Sequence, residues 1–269
     1  MKTRAITGFF FILVMLASVF SGRHVFFCFY LVLSVATLLE YYRLMKTSGI
    51  RPHRNTGIFC SALLFLLTAG YYYLQFDSKY LFLGIPLLFS IFVGELYKKE
   101  KIPFANIAYT FLGLIYITAP FSFFSSLAFL SDGGNYNYEI PLAFLLMLWA
   151  NDTGAYLFGV RFGRRKLFER HSPKKSWEGF LGGVFTAVLV AILLGFRFES
   201  LPPVIWVGMA VLIAVFGTLG DLVESMLKRS LDVKDSGTFL PGHGGLLDRF
   251  DGLLLAAPVV YTFLYIYLN

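Results

Sequence analysis

The feature that most constrains this chain is a succession of apolar runs, each about as long as a membrane-spanning helix. A helix of about 20 apolar residues crosses a bilayer, and runs of this length recur along the whole sequence. Only 14% of the residues are charged, whereas soluble domains average about 25%. The pattern predicts a polytopic membrane protein with no length left for a separate soluble domain.

Continuous apolar runs exclude a membrane β-barrel, whose strands alternate polar and apolar residues. The first run follows two basic residues, as in a signal peptide, but no small-x-small cleavage site precedes its polar end, so we expect a retained helix. We therefore predict an all-α fold of nine transmembrane helices, over residues 5–22, 25–46, 56–75, 79–97, 104–130, 138–160, 176–197, 202–228 and 247–268.

The distribution of lysine and arginine predicts the orientation in the membrane. With the N-terminus in the cytoplasm, 20 of the 23 basic residues lie on the inner side and three on the outer side, as the positive-inside rule requires. The C-terminus is then outside. A negatively charged membrane surface accounts for the net charge of +7, so no nucleic-acid partner is needed.

A polar stretch over residues 224–251, together with Asp221 before it, interrupts the apolar pattern. Asp221 and Glu224 share one face of helix eight, and Asp248 and Asp251 share one face of helix nine. The two helices run in opposite directions, so we expect these carboxylates to meet at one depth. A glycine-rich turn, residues 241–245, lies between them.

Two upstream features point to the same depth. Asp152 lies inside helix six, where an ionisable residue costs about 2.5–3.5 kcal/mol on insertion scales and marks a functional site. After this helix, Ser172-Pro173 predicts a turn into helix seven, with Lys174, Lys175 and Ser176 at its start and Glu178 following. Lysines beside a helix N-terminus favour phosphate binding.

Clustered carboxylates stay ionised only when cations compensate them, and carboxylate oxygens are the ligands that Mg²⁺ accepts. The cluster therefore predicts bound Mg²⁺ and leaves a second cation open. Metal, lysines and a glycine-rich turn favour phosphoryl or nucleotidyl transfer, with a membrane lipid as the acceptor. An ion-coupled transporter would place its charges near the midplane of the bilayer and show related halves; a purely structural charge network is the remaining alternative.

The chain divides into two predicted parts. Residues 1–140 form helices that act as scaffold, in which Glu40 pairs locally with Arg43, three residues on. Residues 141–269 form the catalytic helices. Glycines on helices seven and eight permit close packing, within one chain or between two copies in a homodimer.

The polar stretch resembles a known signature. All 27 residues from Ser225 to Asp251 are similar to the motif of the phosphatidate cytidylyltransferases, also called CDP-diacylglycerol synthases. The segments Asn151–Tyr156 and Ser172–Gly179 resemble the same family. The resemblance covers roughly the last 120 residues, whereas residues 1–140 match only as membrane helices.

This resemblance implies that CTP and phosphatidate react, with Mg²⁺, to give CDP-diacylglycerol and pyrophosphate at the cytoplasmic side of the plasma membrane. Our hypothesis assigns the metal to Asp221, Asp248 and Asp251, and leaves open whether Asp152 joins them; the three carboxylates form the catalytic set with Lys228 and Arg229. Further residues are assigned to substrate binding: Asn151, Asp152, Lys174, Lys175, Ser176, Lys234, His243 and Arg249. The alternative is a CTP-dependent polyprenol or phytol kinase, for which His243 would be the base.

Overall fold

The structure, a computed structural model, describes residues 2–131, 133–170, 172–237 and 244–268, with side chains from residue 7 onward. It confirms the predicted all-α membrane fold. The helices are α1 (Lys2–Phe20), α2 (Arg23–Thr47), α3 (Arg54–Leu74), α4 (Gly84–Leu96), α5 (Pro103–Gly113), α6 (Ala119–Leu127), α7 (Glu139–Phe162), α8 (Trp177–Gly195), α9 (Pro203–Ser230) and α10 (Leu247–Leu268).

In the described ranges, these helices cover the nine predicted segments, close to the predicted bounds. Eight are long and apolar enough to cross a membrane, and α1 contributes a shorter apolar segment, Thr7–Phe20. Two spans combine segments: a 3-10 helix, Ser78–Leu83, leads into α4, and a π-helical segment, Leu114–Thr118, joins α5 to α6. Such π segments are frequent at functional sites.

The segment between α7 and α8 contains a β-hairpin that the sequence reasoning did not predict. Strand β1 (Lys166–Phe168) pairs antiparallel with β2 (Ser172–Ser176). Lys174 and Lys175 therefore lie in a strand, and the prediction that they begin helix seven is wrong. Pro173 has no N–H group and favours extended backbone before it. The helix begins only after Ser176, whose Oγ accepts the Gly179 N–H at 3.1 Å.

The C-terminal helices pack at glycines, because close contact between membrane helices requires small residues. Helix α7 meets α8 at Gly154 and Gly183, and α9 meets α10 at Gly217 and Gly220. A Cβ at Gly220 would overlap the carbonyl oxygen of Asp251. These glycine faces are thus used within one chain, and the homodimer stays a prediction.

Candidate active site

A cavity of about 560 Å³ lies between α7, the β-hairpin, α8 and α9. Its volume is that of a small-molecule binding site. Residues from all three polar regions of the sequence reach it. Six of the predicted site residues line it: Asn151, Asp152, Lys174, Lys175, Ser176 and Asp221.

An ion pair joins the hairpin to α9 inside this cavity. The Lys175 Nζ lies 2.6 Å from Asp221 Oδ2 and 3.5 Å from the carbonyl oxygen of Thr218. On the other side, Ser225 Oγ donates to Asp221 Oδ1 at 3.3 Å. The Asp221 side chain keeps 40% of its surface exposed, so its carboxylate is accessible to a ligand.

Two further carboxylates lie near Asp221. Asp152 on α7 and Asp251 on α10 are each within range of its charge and of the charge on Lys175. Arg249 also acts on Asp152. The Gly252 N–H donates to Asp251 Oδ1 at 2.7 Å. Three carboxylates thus share this part of the site, and such a group attracts cations.

Lys228 is held between two carboxylates. Its Nζ lies 2.6 Å from Glu224 Oε2 and 2.6 Å from Asp248 Oδ1. The other oxygen of Asp248 accepts the Ser236 N–H at 3.1 Å and the Gly245 N–H at 2.8 Å, and the Ser236 Oγ lies 3.0 Å from it. Asp248 therefore connects α9 to both ends of the loop that leads into α10.

Asp221 and Asp248 have different protein partners in the structure, and the predicted metal set stays a prediction. Asp248 engages Lys228 and the loop, while Asp221 engages Lys175. Across the described ranges, no three acidic, histidine or cysteine side chains are arranged to hold a metal ion. The reason is that each helix end carries its own lysine or backbone partners, which pair with the carboxylates individually.

Glu40, from the N-terminal half, is a site residue whose role the sequence reasoning missed. The predicted pair with Arg43 is wrong: Arg43 is exposed and forms no ion pair within the part of the chain that the structure describes. The Glu40 carboxylate is instead buried and accepts the Ser236 hydroxyl at 2.6 Å. It also accepts the N–H groups of Leu246 and Leu247, at 2.9 and 3.0 Å. Its occurrence in an apolar span was the only signal.

Tyr116 is a second missed residue, on the π-helical segment. Its hydroxyl is buried without a hydrogen-bond partner among the described residues, and it lies within range of the charges of Asp251, Glu224 and Asp221. The acceptor oxygens Asn151 Oδ1 and Glu224 Oε1 are also buried without a partner there. Unsatisfied buried polar atoms are rare in folded proteins, so each of these three atoms requires a partner such as a water molecule or a ligand.

Among the described residues, the remaining predicted ones do not line the cavity. Arg229 is exposed and donates to the Val233 carbonyl at 3.3 Å, and Lys234 and Arg249 are exposed. Glu178 accepts the N–H groups of Arg164 and Arg165 at 3.0 and 3.2 Å. It closes the hairpin segment and does not join the other carboxylates. His243 and most of the glycine-rich turn lie outside the described residues.

Comparison with known proteins agrees with this geometry. The model of the cytidylyltransferase family matches residues 2–267. The chain belongs to the cytidylyltransferase family. Membership makes it a nucleotidyltransferase, as the resemblance of residues 225–251 implied. The match also includes the first 140 residues, so the family likeness extends well beyond the segments that carried the resemblance.

Curated members of the cytidylyltransferase family resemble the chain over almost its full length. The phosphatidate cytidylyltransferase of Staphylococcus haemolyticus (strain JCSC1435) is 34% identical over 266 residues, which cover 97% of each chain. The protein of the same name from Bacillus subtilis (strain 168) is 33% identical, over 98% of this chain and 97% of that relative.

Proposed function

We propose that this protein transfers the cytidylyl group of CTP to phosphatidate, giving CDP-diacylglycerol and pyrophosphate for phospholipid synthesis. The observation that carries the proposal is the meeting of the lysine strand β2 with the acidic end of α9 in one cavity, through Lys175 and Asp221. Two relatives similar over almost the full chain are phosphatidate cytidylyltransferases, which supports the choice of substrates.

The walls of the cavity suit one polar and one lipid substrate. Lys166, Lys174 and Lys175 provide positive charge for the phosphates of CTP. The opposite wall includes Tyr156 and Val160, which are 69% and 72% exposed on the outer surface of α7. In a membrane-spanning helix, such a surface faces lipid. This opening would let the acyl chains of phosphatidate stay in the bilayer while its phosphate enters.

The donor oxygens of the site are of the type that a hard divalent cation binds, but the described carboxylates alone are not arranged to hold one, so substrate phosphates would have to complete its ligands. Asp152, Asp221 and Asp251 offer carboxylate oxygens in one region, and one lysine is ion-paired there. Bound Mg²⁺ would neutralise phosphate charge and orient the triphosphate. We assign Asp248 a different role, because its carboxylate binds Lys228 and the loop. Asp248 positions the ends of α9 and α10. The need for a second cation stays a prediction.

The chemistry needs little proton transfer. A phosphate oxygen of phosphatidate, already an anion at neutral pH, forms a bond to the α-phosphorus of CTP. The bond from the α-phosphorus to the bridging oxygen breaks, and its electron pair leaves with pyrophosphate. Lys175 and its neighbours would hold the two polyanions together, and this positioning accounts for the rate enhancement.

We propose that the site lies at the cytoplasmic side of the plasma membrane. Twenty basic residues belong to that side in the predicted topology, and CTP is a cytosolic substrate. The homodimer stays a prediction, and the proposed reaction involves no nucleic acid.

The test is turnover by purified full-length protein in detergent, with phosphatidate, Mg²⁺ and CTP labelled at the α-phosphorus. We expect the label to enter chloroform-extractable lipid, and pyrophosphate to be released in equal amount. Lys175→Gln and Asp221→Asn should each lower the rate by at least about tenfold.

Two outcomes would contradict the proposal. Transfer of label only from the γ-phosphorus, with polyprenol or phytol as acceptor, would identify a lipid kinase. Ion-driven uptake into liposomes without covalent turnover would identify a transporter.

A further inference from the structure

A second, basic cavity lies in the N-terminal half, where α2 ends and α3 begins. Its volume is about 800 Å³. It lies at the same end of the helix bundle as the candidate active site, because α2 also carries Glu40. One carboxylate, that of Glu100, lines the cavity. Four basic side chains also line it: Lys46, Arg51, Arg54 and Lys98.

The positive charge of this basic cavity is only partly neutralised. Arg51 Nη1 lies 3.5 Å from Glu100 Oε2, and Lys98 Nζ lies 3.8 Å from Glu95 Oε2. Lys46 and Arg54 form no side-chain hydrogen bond or ion pair with any described residue. Like charges around one cavity repel each other unless an anion lies between them.

The floor of the basic cavity is a buried polar network. His53 is 1% exposed and contacts the Glu95 carboxylate. Its Nδ1 lies 3.0 Å from Lys98 Nζ. An ammonium group only donates, so Nδ1 accepts and Nε2 carries the hydrogen toward Glu95. Asn106 Nδ2 donates to Glu95 Oε1 at 2.8 Å. These bonds hold Lys98 at the cavity in one orientation.

The N-terminus of α3 adds to this charge. Arg54, Asn55 and Thr56 are its first residues, and all three line the basic cavity. The preceding residue, His53, makes no side-chain capping bond. The first N–H groups of a helix have no partner within the helix and attract anions.

Anchoring at a membrane surface accounts for basic residues at this end of the bundle in general. Lys99 and Lys101 are such residues: they are exposed, as the four basic residues of the cavity are, but they lie outside its lining. Anchoring does not require four basic side chains to line one cavity above a buried polar floor. That convergence is typical of a built anion site.

We propose that the basic cavity binds the phosphate of an anionic phospholipid headgroup. Its walls are the ends of membrane spans, so a lipid in the adjacent leaflet can place its phosphate there while its acyl chains stay in the bilayer. Lys46 and Arg54 would then neutralise the phosphate. The proposal concerns a site separate from the catalytic cavity and does not rest on the proposed function.

The test measures binding to purified full-length protein in a non-ionic detergent, with dioctanoyl phosphatidylglycerol, dioctanoyl phosphatidylcholine and inorganic pyrophosphate as separate probes. The variant Lys46→Gln/Arg54→Gln removes the two unpaired charges. The matched control, Lys99→Gln/Lys101→Gln, removes two charges from the same end outside the cavity. Any binding at the catalytic cavity is common to all three proteins and cancels in the comparison.

We expect phosphatidylglycerol to bind the cavity variant about tenfold more weakly than wild type, and the control within about twofold. Equal losses in both variants would overturn the proposal, since charge alone would then explain binding. Equal affinity for phosphatidylcholine, or a variant-sensitive affinity for pyrophosphate alone, would overturn the assignment to an anionic lipid. If the double variant does not fold, Lys46→Gln alone carries the same comparison.

Discussion

At the scale of single residues, the site depends on carboxylates with different partners. Asp221 pairs with a lysine in the open cavity, Asp248 holds Lys228 and a loop, and Glu40 holds that loop from the opposite half of the chain. A carboxylate that accepts several hydrogen bonds fixes its surroundings, whereas an accessible one is free to bind ligands. Residues of one type therefore carry different functions here.

The hydrogen bonds of Glu40 predict a large effect of a small change. Glu40→Gln removes the charge and turns a donor toward N–H groups that need an acceptor. Hydrogen bonds to charged groups are worth about 1.5–3 kcal/mol each, so we expect turnover to fall at least about tenfold and the thermal midpoint in detergent to fall as well. Arg43→Gln is the control and should match wild type. If turnover and the thermal midpoint fall as far in the Arg43 variant as in the Glu40 variant, the local pair of Glu40 with Arg43 is the true interaction.

Asp221 and Asp248 should respond differently to Mg²⁺. Because Asp221 is accessible and Asp248 is engaged by protein donors, Asp221→Asn should raise the Mg²⁺ concentration for half-maximal rate about tenfold or more. Asp248→Asn should lower the maximal rate and leave that concentration within about twofold of wild type. Rates measured over a series of Mg²⁺ concentrations give both quantities for each variant. An equal increase in the half-maximal Mg²⁺ concentration in both variants would show that Asp248 is a metal ligand.

At the scale of elements, glycine-mediated helix packing places the acidic ends. Helix α9 approaches α10 closely enough that the backbone of Asp251 touches Gly220. The hairpin then brings Lys175 across to α9. Small residues at such crossings allow the backbone approach that membrane helices need. The spacing of Asp221 and Asp251 thus depends on the absence of side chains at the crossing.

Gly220→Ala tests this packing. The added methyl group overlaps the Asp251 carbonyl oxygen, which is backbone and cannot rotate away. Overpacking of this kind costs about 1–3 kcal/mol, so the thermal midpoint and the rate should both fall. Gly70→Ala is the matched control, because its nearest neighbour is a side-chain atom of Phe76 at 3.7 Å. Wild-type stability and rate in Gly220→Ala would show that the helices are not in contact there.

At the scale of the whole molecule, the two halves form one structure. Glu40 on α2 holds the loop before α10, and Tyr116 contributes a buried hydroxyl beside the carboxylates. The N-terminal half therefore does more than the predicted scaffold role. Its own polar network, around His53 and Glu95, lies outside the catalytic cavity and makes stability sensitive to pH.

Burial, with Lys98 beside it, lowers the pKa of His53 below its ordinary value, against the opposing effects of Glu95 and Glu100. The unfolded chain then takes up the proton first, near pH 6.5. Neutral His53 contributes its full share of the folding free energy above that pH. This contribution is lost as the pH falls from about 6.5 toward the lower pKa of the folded state. The loss is about 1.4 kcal/mol for each pH unit between the unfolded and folded pKa values.

The thermal midpoint of wild type should therefore fall between pH 7.5 and 5.5 by more than that of His53→Gln, which has no titrating ring. Parallel falls in the two proteins would mean that other groups cause the pH dependence.

Much of the fold and part of the site can be predicted from local sequence. The spans follow from run length, and the resemblance of residues 225–251 correctly indicated the family that the full-length match now shows. Asp152, Lys175 and Asp221 were expected near one another and do share a cavity. The hairpin was missed because strand β2 is only five residues long, Ser172–Ser176, too short for a periodic pattern to reveal it.

The sequence by itself determined the membrane class, the helical segments and the family, since each depends on residues that are adjacent in the chain. Only the tertiary structure decided which carboxylate pairs with which donor. Glu40 and its partners Ser236, Leu246 and Leu247 are about 200 residues apart, and helical spacing does not encode contacts between helices. A polar group that is buried away from water requires a hydrogen-bond partner. The packing of the helices decides which partner is within reach.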